Sequence, residues 1–387
     1  MRIGLNLIFL VPEETGGMEV YARELIPALL QAAPDARFTA FVNRETAAYG
    51  RGPWTEAIPS VTVPVNARQR VQWVLGEQVV LPRLAAANGI EVMHSLASTA
   101  PAWGGGRRVV TVHDLIYARF PEAHAGMRAL GMRALVPLAA RRSNRVIAIS
   151  QSTRADLMDL LGVPERKIDV IPQGLGSVPD TPPGLAEQAR ARMGIGERQV
   201  ILSLSAKRPH KNLTALIGAL ARIAPPKRPL LILCGYGTWH EAQLRAQAQE
   251  LGVGRDVLFL GWVSELELEE LWSVADAFVY PSLYEGFGLP VLEAMARGVP
   301  VACSDASSLP EVAGQAALLF APQSQAQIAA AIERLLSDRA LAERLRAAGV
   351  ARAATFTWER TASMTLESYE RALGLSPQAR RMPPAPG

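Results

Sequence analysis

The stretch that most constrains the fold is residues 281–298, which read PSLYEGFGLPVLEAMARG. It lies between two apolar runs, residues 277–280 and 299–303, that have the composition of buried strands. Pro290 suits the first turn of a helix, where its missing N–H costs no hydrogen bond, and Gly298 suits the residue just past a helix end. The stretch therefore predicts a strand–helix–strand unit with parallel strands.

Two glutamates lie eight residues apart in this unit, Glu285 in the turn and Glu293 in the predicted helix. Between them, the N–H groups of Phe287, Gly288 and Leu289 stand at the helix N-terminus, which favours anions and acceptor groups. The two carboxylates could act as an acid/base pair, as metal ligands or as hydroxyl-binding groups. Because the chain has no Asp-x-Asp motif and no His/Cys cluster, we expect no metal site, and a carboxylate suits a vicinal diol of a sugar or ribose.

The same alternation of strands and helices runs through most of the chain. Strand candidates are residues 1–10, 37–42, 61–65, 90–95, 108–112, 146–149, 168–172, 200–205, 230–233, 257–260, 277–280 and 299–303. Helix candidates are residues 18–32, 69–88, 212–223, 239–251, 265–274, 325–336, 341–354 and 358–373. A stretch rich in Pro and Gly, residues 174–184, is typical of a linker. We therefore predict an α/β protein with two doubly wound, Rossmann-like domains, residues 1–175 and 176–356, and a disordered tail over residues 376–387.

Polar or glycine-rich loops follow five of the predicted strands. They contain residues 16–17, 113–114, 207–211, 235–237 and 285–288. In open α/β sheets, ligands bind beyond the carboxyl ends of the strands. We therefore expect these loops to converge on a central cleft between the two domains.

Three of these loops have competing interpretations. Gly16 and Gly17 form either a structural turn or a loop that lets the backbone approach a phosphate, and the pair lacks the GxGxxG spacing of a dinucleotide fingerprint. His113 is a titratable or hydroxyl-binding residue, or simply a buried polar residue at a strand end. Residues 207–211 are a solvated charge run or a pyrophosphate clamp. Of their cations Lys207, Arg208 and Lys211, the last is nearest the helix start and is the best candidate.

Bulk properties exclude several classes of protein. A formal net charge of +4 does not suggest nucleic-acid binding. Cys234 and Cys303 each lie in or beside an apolar strand-like run, which favours buried, reduced thiols. No stretch approaches the ~20 apolar residues of a membrane span. Residues 1–17 lack a small-residue cleavage site and are interpreted as a first strand, so we expect a cytoplasmic protein.

The segment 119–145 is basic. It contains one glutamate, Glu122, and six arginines, Arg119, Arg128, Arg133, Arg141, Arg142 and Arg145, with apolar residues between them. Such a segment can lie on an anionic membrane, which would bring a lipid-linked acceptor to the N-terminal domain. An ordinary solvated helix explains it equally well.

Taken together, these motifs resemble one known family over nearly the whole chain. They are GGME at residues 16–19, HDL-x5-PE at 113–122, AISQSTRADL at 148–157, E-x7-E at 285–293 and SLPEV at 308–312. The chain resembles the retaining "group 1" glycosyltransferases of family 4, and within them a mannosyltransferase-like branch. The most specific of these features is E-x7-E in its EGFGLPVLEAMA setting.

The resemblance implies a GT-B fold and a hexosyltransferase of polysaccharide biosynthesis that retains anomeric configuration and needs no metal or other cofactor. The donor would be a nucleotide-diphosphate sugar. GDP-mannose is the donor that the branch suggests, with UDP- and dTDP-sugars left open. The acceptor would be a glycan, lipid-linked or small-molecule hydroxyl, and the enzyme would work in the cytoplasm or at the inner face of the plasma membrane. Residues 357–375 would cross back to the N-terminal domain as a helix.

The resemblance also implies roles for single residues. Glu285 would orient the donor sugar, Glu293 would bind the ribose hydroxyls and Lys211 would stabilise the diphosphate leaving group. The other implied donor contacts are the loop Gly16–Gly17 for phosphate, the amides of Phe287, Gly288 and Leu289 for hydroxyls, Val263 with its neighbours for the nucleobase, and His113 beside the reacting sugar.

The chain departs from the family at Ala206, where many relatives carry an arginine, so Lys207 or Arg208 would have to supply that charge. Gln173 also stands where asparagine is more common. Two other functions fit the same architecture, a sugar-nucleotide epimerase or phosphorylase and a non-catalytic nucleotide-sugar-binding protein. The presence of both Glu285 and Glu293 weighs against the second.

Overall fold

The computed structural model describes residues 1–120, 127–179 and 182–375. The described chain divides into two compact units. The first contains residues 1–118, 127–174 and 357–375, and the second contains Arg119, Phe120 and the described residues from 175 to 356.

Strands and helices alternate along both units. The strands are β1 (Arg2–Leu7), β2 (Arg37–Val42), β3 (Ser60–Thr62), β4 (Val92–Ser95), β5 (Arg107–Val112), β6 (Arg145–Ala148), β7 (Ile168–Val170), β8 (Val200–Leu204), β9 (Leu230–Cys234), β10 (Val257–Phe259), β11 (Ala277–Tyr280), β12 (Val301–Ser304) and β13 (Ala317–Phe320). The α-helices are α1 (Gly17–Ala32), α2 (Arg44–Tyr49), α3 (Pro53–Glu56), α4 (Arg70–Leu75), α5 (Leu81–Ala87), α6 (Ile116–Arg119), α7 (Met127–Arg142), α8 (Gln151–Asp159), α9 (Leu185–Met193), α10 (Leu213–Arg222), α11 (Glu241–Glu250), α12 (Glu265–Val274), α13 (Leu289–Ala296), α14 (Leu309–Ala313), α15 (Gln325–Ser337), α16 (Arg339–Ala353) and α17 (Trp358–Leu373).

Each unit is built on one parallel sheet. The first sheet has the order β3-β2-β1-β4-β5-β6-β7 and the second the order β10-β9-β8-β11-β12-β13. Every pairing is parallel, for example Ile3 opposite Phe38 and Val92 in the first sheet and Phe278 opposite Leu202 and Val301 in the second. The predicted pair of doubly wound, Rossmann-like α/β domains is confirmed.

The direction of winding reverses once in each sheet, between β1 and β4 and between β8 and β11. In doubly wound sheets the loops at the carboxyl ends of these two strands diverge and leave a crevice, which is where ligands bind. In the second unit those loops carry residues 205–212 and 281–288. The sheet order therefore places Lys211 and Glu285 at the switch point.

Helix α17 belongs to the first unit. Trp358, Ala362, Leu366 and Tyr369 are buried with residues of β1, β4 and α1 in one hydrophobic cluster. The described chain thus begins and ends in the same unit, with the second unit lying between the two segments in sequence.

Several short elements were absent from the sequence prediction, namely β13, α2, α3, α6, α8, α9 and α14. These elements have at most nine residues, too few to show a clear apolar period. Some of these elements are marked by a capping residue rather than by an apolar pattern. The side chains of Asn43 and Ser150 accept hydrogen bonds at the starts of α2 and α8. The predicted helix 69–88 is interrupted by a π-helical turn, Gly76–Val80.

Two bulk predictions can be compared with the structure. Cys234 and Cys303 are buried free thiols. Within the described ranges, no helix is long and apolar enough to cross a membrane.

Candidate active site

The centre of the second unit's site is an ion pair between Lys211 and Glu285. A short 3-10 turn, Pro209–Lys211, follows β8 and ends at Asn212, whose left-handed backbone starts α10. The Asn212 amide donates to the carbonyls of Pro281 at 3.0 Å and Pro322 at 2.7 Å, which ties this turn to the loop after β11. Lys211 Nζ consequently lies 2.7 Å from Glu285 Oε1.

Both members of the pair are charged at neutral pH. Burial alone would raise the pKa of Glu285, but the adjacent Lys211 more than offsets this, and the pKa lies below its ordinary value. Burial likewise opposes the charge on Lys211, and the Glu285 carboxylate and the Tyr280 hydroxyl, 3.4 Å away, hold its pKa above the ordinary value. A deprotonated Glu285 has no proton to donate, so it can bind a hydroxyl but cannot serve as a general acid.

Two serines hold the loop that contains Glu285 and Phe287. Glu285 N donates to Ser307 Oγ at 2.8 Å, and Ser308 Oγ donates to the carbonyls of Glu285 at 3.0 Å and Phe287 at 2.6 Å. Gly288 has φ +116°, which strongly favours glycine, and a Cβ there would lie 2.6 Å from a methyl carbon of Leu309. In the described chain, the N–H groups of Phe287, Gly288 and Leu289 donate to no protein acceptor.

Glu293 lies in α13, and among the described residues no cation forms an ion pair with it. Arg297, one turn later, instead forms a two-point pair with Glu269, at 2.5 and 3.1 Å. Burial raises the pKa of Glu293, Arg297 opposes the rise and Glu269 adds to it, so the pKa is above its ordinary value. No group in the described ranges is hydrogen-bonded to the Glu293 carboxylate, which is therefore available to a ligand.

The environment of the Lys207 side chain is neither the solvated one nor the phosphate-binding one that the sequence predicted. Its side chain is fully buried, and Nζ donates to the carbonyls of Gly235 at 2.6 Å and Leu260 at 2.5 Å, with Glu241 at 3.7 Å. It thus joins the loops that follow β8, β9 and β10. This placement argues against Lys207 as a phosphate ligand in place of the arginine missing at Ala206. Arg208, which is half-exposed, remains the candidate.

The segment predicted to edge the nucleobase adjoins that junction. Gly261 accepts a hydrogen bond from Gly235 N at 3.1 Å, the side chain of Trp262 is exposed and Val263 is half-buried.

In the first unit, the glycine loop leads directly into α1. Gly16 has φ +66°, and Gly17 is the first helical residue. A Cβ at either glycine would meet nothing within 4 Å, so the backbone here is open to a ligand on that side. The buried Glu19 closes the loop, because its carboxylate accepts from Glu13 N at 2.8 Å and pairs with Arg23 at 2.9 Å.

His113 follows β5 and is held on both ring nitrogens. Nε2 is 2.7 Å from the carbonyl oxygen of Leu96, so Nε2 carries the proton, and Gln173 Nε2 donates to Nδ1 at 3.4 Å. Burial lowers the pKa of His113 below its ordinary value, against smaller opposing effects of Leu96 and Asp114. The imidazole is therefore neutral, and its ring contacts Tyr21 edge-on at 4.9 Å.

The structure brings Lys211, Glu285 and the start of α13 together in the second unit, and His113 together with α1 in the first. Sequence reasoning missed Tyr280 and Tyr21. Tyr280 lies in an apolar strand and Tyr21 on the buried side of α1, and only a buried hydroxyl in contact with a polar partner distinguishes each from a core residue. Of the motif at residues 113–122, Pro121 and Glu122 lie outside the described residues.

The basic segment separates into several environments. Arg145 forms a partly buried two-point pair with Asp169, whereas Arg133 and Arg142 are exposed. Val136 packs into the first unit's core. The predictions for Glu122 and for the side chains of Arg128 and Leu130 lie outside what the structure describes.

Comparisons with known proteins agree with this architecture. Residues 186–352 match the family described as "Glycosyl transferases group 1", and residues 15–175 match "Glycosyltransferase Family 4". The chain is 34% identical over 273 residues to "O-antigen chain mannosyltransferase B" of Escherichia coli, covering 68% of this chain and 70% of that protein. It is 29% identical over 277 residues to "Serotype-specific mannosyltransferase WbdA" of the same species, covering 69% of this chain but only 34% of WbdA. Among solved structures, the sucrose-phosphate synthase of Thermosynechococcus elongatus superposes with a TM-score of 0.74 at 22% identity, covering 97% of this chain and 99% of that one.

Proposed function

We propose that this chain, which belongs to the group 1 glycosyltransferases of family 4, moves a mannosyl group from GDP-mannose to a hydroxyl of a glycan acceptor with retention of configuration. Glycosyltransferase activity and the GT-B fold follow from the family. The mannosyl donor is supported by the two relatives named as mannosyltransferases. A lipid-linked or small-molecule acceptor would use the same chemistry.

The observation that carries the proposal is the charged Lys211–Glu285 pair together with the N–H groups of Phe287, Gly288 and Leu289 at the start of α13, which donate to no acceptor among the described residues. These provide a cation, free backbone donors and a fixed carboxylate at the switch point of the second sheet. A departing diphosphate needs the first two, and a sugar hydroxyl binds the third. Glu293, whose carboxylate accepts no hydrogen bond from the residues that the structure describes, is assigned to the ribose hydroxyls.

In the reaction, the bond between the anomeric carbon and the phosphate oxygen breaks, and the electron pair leaves with the nucleoside diphosphate. Lys211 and the amides of Phe287, Gly288 and Leu289 stabilise the negative charge that develops there. The acceptor oxygen bonds to the same face of the anomeric carbon, and its proton passes to the departing phosphate oxygen. This scheme assigns neither a metal ion nor an enzymic nucleophile.

The first unit contains further residues for which we propose roles. The open backbone at Gly16–Gly17 is assigned to the donor phosphate, and neutral His113 is assigned to the vicinity of the reacting sugar. Arg208 is assigned the charge that Ala206 does not supply. Free buried thiols at Cys234 and Cys303 support a reducing, cytoplasmic location.

The decisive experiment is a donor panel of GDP-mannose and matched UDP- and dTDP-hexoses, read as released nucleotide with and without glycan acceptor. We expect acceptor-dependent release of GDP and an α-linked product from an α-linked donor. Product of inverted configuration would exclude retention. Interconversion of the sugar nucleotide without release would indicate the epimerase, release driven by orthophosphate would indicate the phosphorylase, and binding without turnover would indicate the non-catalytic protein.

A further inference from the structure

Buried polar side chains connect helix α17 to the part of the first unit that contains His113. They form a polar chain of four residues, Tyr369, His94, Thr111 and Tyr21. The Tyr369 hydroxyl lies 2.7 Å from His94 Nδ1, and His94 Nε2 lies 2.8 Å from Thr111 Oγ1. The Thr111 hydroxyl in turn lies 3.4 Å from that of Tyr21 in α1. All four side chains are completely buried.

This chain of contacts ends at His113. The Tyr21 ring meets the His113 ring edge-on, with centroids 4.9 Å apart and planes at 89°. Tyr21 also contacts the first residue of α17, because the rings of Tyr21 and Trp358 are 5.6 Å apart. Tyr21 is therefore held between α17 and His113.

A second connection starts from the first turn of α17. Thr361 Oγ1 donates to the carbonyl of Pro172 at 2.8 Å. The backbone of Gly174 packs so closely on the helix that a Cβ there would lie 2.5 Å from Trp358 N. Gln173, fixed between these two contacts, donates to His113 Nδ1 at 3.4 Å.

The polar chain satisfies its own hydrogen-bonding groups in the core. Burial lowers the pKa of His94 to about 3, with a smaller contribution from His113, so this imidazole is neutral, and each of its ring nitrogens meets one hydroxyl. A satisfied buried network of this kind fixes one arrangement of its members.

We propose that α17 is a positioning element for His113, acting through Tyr369, His94, Thr111 and Tyr21 on one side and through Gln173 on the other. The inference rests on the proposed function, in which His113 lies beside the reacting sugar. Donor binding is assigned mainly to the second unit. Loosening α17 should therefore lower kcat and leave the KM for the donor nearly unchanged.

The test compares two buried hydroxyl groups on α17, of which only one belongs to the polar chain that ends at His113. Tyr369→Phe removes the bond to His94, whereas Ser368→Ala removes an equally buried bond, 2.7 Å from Ser368 Oγ to Asp169, that does not lead to His113. The first readout is the ring-nitrogen NMR shifts of His113 in the free protein, assigned with His113→Asn. The second is kcat and KM with the donor that the panel identifies.

We expect Tyr369→Phe to move the His113 ring signals and to lower kcat about threefold to tenfold, the effect of one lost hydrogen bond, with KM unchanged. Ser368→Ala should leave the His113 signals in place. Unchanged His113 signals in Tyr369→Phe, or equal movement in both variants, would overturn the proposal.

Thr111→Val removes the hydroxyl of the polar chain that lies between His94 and Tyr21. This variant tests the proposal if Tyr369→Phe does not fold. It should move the same His113 signals, and unchanged signals would again overturn the proposal. The NMR readout needs no substrate, so a wrong donor or reaction would leave this result standing.

Discussion

At the scale of single residues, the Lys211–Glu285 pair affects stability as well as the catalysis that we propose for it. With side chains only 15% and 10% exposed, each charge depends on the other for compensation. Removing one partner leaves a buried charge unpaired, which typically costs about 3–5 kcal/mol, whereas removing both charges can be nearly neutral. The catalytic role proposed for Lys211, in contrast, needs the cation itself.

We therefore predict that stability and activity will separate in a double-mutant cycle. Lys211→Met and Glu285→Gln should each lower the free energy of unfolding by about 3 kcal/mol, and the double variant should recover most of that loss. All three should lose at least about 100-fold in sugar transfer, the typical effect of removing one group that stabilises developing charge. Urea unfolding and released nucleotide measure the two quantities.

The comparison variant is Arg346→Met, because Arg346 forms a more exposed pair with Glu343. This variant should change neither the free energy of unfolding nor the rate of sugar transfer appreciably. Turnover in Lys211→Met close to that of the unchanged protein would contradict the role assigned to Lys211.

A second residue, Glu77, makes the first unit sensitive to pH. It lies in the π-helical turn Gly76–Val80, is 1% exposed and accepts hydrogen bonds from Asn6 at 3.1 Å and Thr99 at 2.9 Å. Burial raises its pKa to about 7, against the smaller lowering effects of these hydrogen bonds. Because the folded protein then holds a proton that the unfolded chain releases near pH 4.5, Glu77 contributes stability that is complete below that pH and is lost as the pH rises to about 7.

We predict that Glu77→Gln removes this pH dependence. Between pH 4.5 and 8, the decline in the free energy of unfolding should be smaller by about 3 kcal/mol than in the unchanged protein. Denaturant titrations at both pH values measure it. The exposed Glu56→Gln should leave the decline as it is, and an equal decline in Glu77→Gln and the unchanged protein would show that Glu77 is not protonated in the fold.

The sequence could predict the motif residues of the site but not what surrounds them. Glu285 and Lys211 follow predicted strands, so topology alone places them at the carboxyl edge of a sheet. The carbonyls that capture Lys207 belong to Gly235 and Leu260, far away in sequence. No local pattern distinguishes an inward lysine from an outward one.

At the scale of elements, the start of α13 depends on Gly288. We predict that Gly288→Ala weakens donor binding, raising KM, and lowers stability by about 1–3 kcal/mol, because its φ of +116° and the clash with Leu309 would displace the helix start. Gly298→Ala at the other end of α13 is the matched change. Its φ is +67°, but the new Cβ would lie 3.9 Å from Val350, so stability should fall by about 1 kcal/mol with KM unchanged. Equal KM values in both variants would contradict the assignment of the α13 amides.

The burial of side chains in helix α7 limits which residues of the basic segment can contact a membrane. Val136, Ala139 and Ala140 pack in the core, so these apolar residues are not available for insertion into a bilayer. We therefore expect exposed arginines to contribute to any contact with an anionic surface and the contact to weaken with salt. Arg133→Glu with Arg142→Glu should reduce binding to phosphatidylserine vesicles by at least about 30-fold at low salt. Arg339→Glu with Arg344→Glu, the same charge change in the second unit, should not, and equal loss in the two pairs would leave the ordinary solvated helix as the explanation.

Element prediction failed where tertiary contacts, not local periodicity, decide the structure. Strand β13 has four residues, only one of them buried, at the edge of the second sheet. The π-helical turn breaks a helix that the pattern predicts as continuous, and it contains the buried Glu77. Neither an edge pairing nor the need to bury one carboxyl group leaves a periodic signal.

At the scale of the whole molecule, the two units share one sheet architecture but carry different polar residues at their candidate sites. Both sheets have the same strand order around the switch point, with one further strand in the first. The cation and the paired acid are in the second unit, and the neutral histidine is in the first. Chain topology also makes the first unit depend on its last helix, since α17 follows the second unit in sequence but packs in the first.

This dependence predicts an unequal response to truncation. Ending the chain after Phe356 removes the buried side chains of Trp358, Leu366 and Tyr369 from the first unit's core, at about 1.5–3 kcal/mol for each apolar side chain. We expect the amides of β1, β4 and β5 to lose protection from hydrogen exchange, while those of β8 and β11 keep most of theirs. Ending the chain after Leu375 is the control and should change neither set; the prediction made for residues 376–387 lies outside the described residues. Retained protection of β4 in the shorter chain would show that the first unit folds without α17.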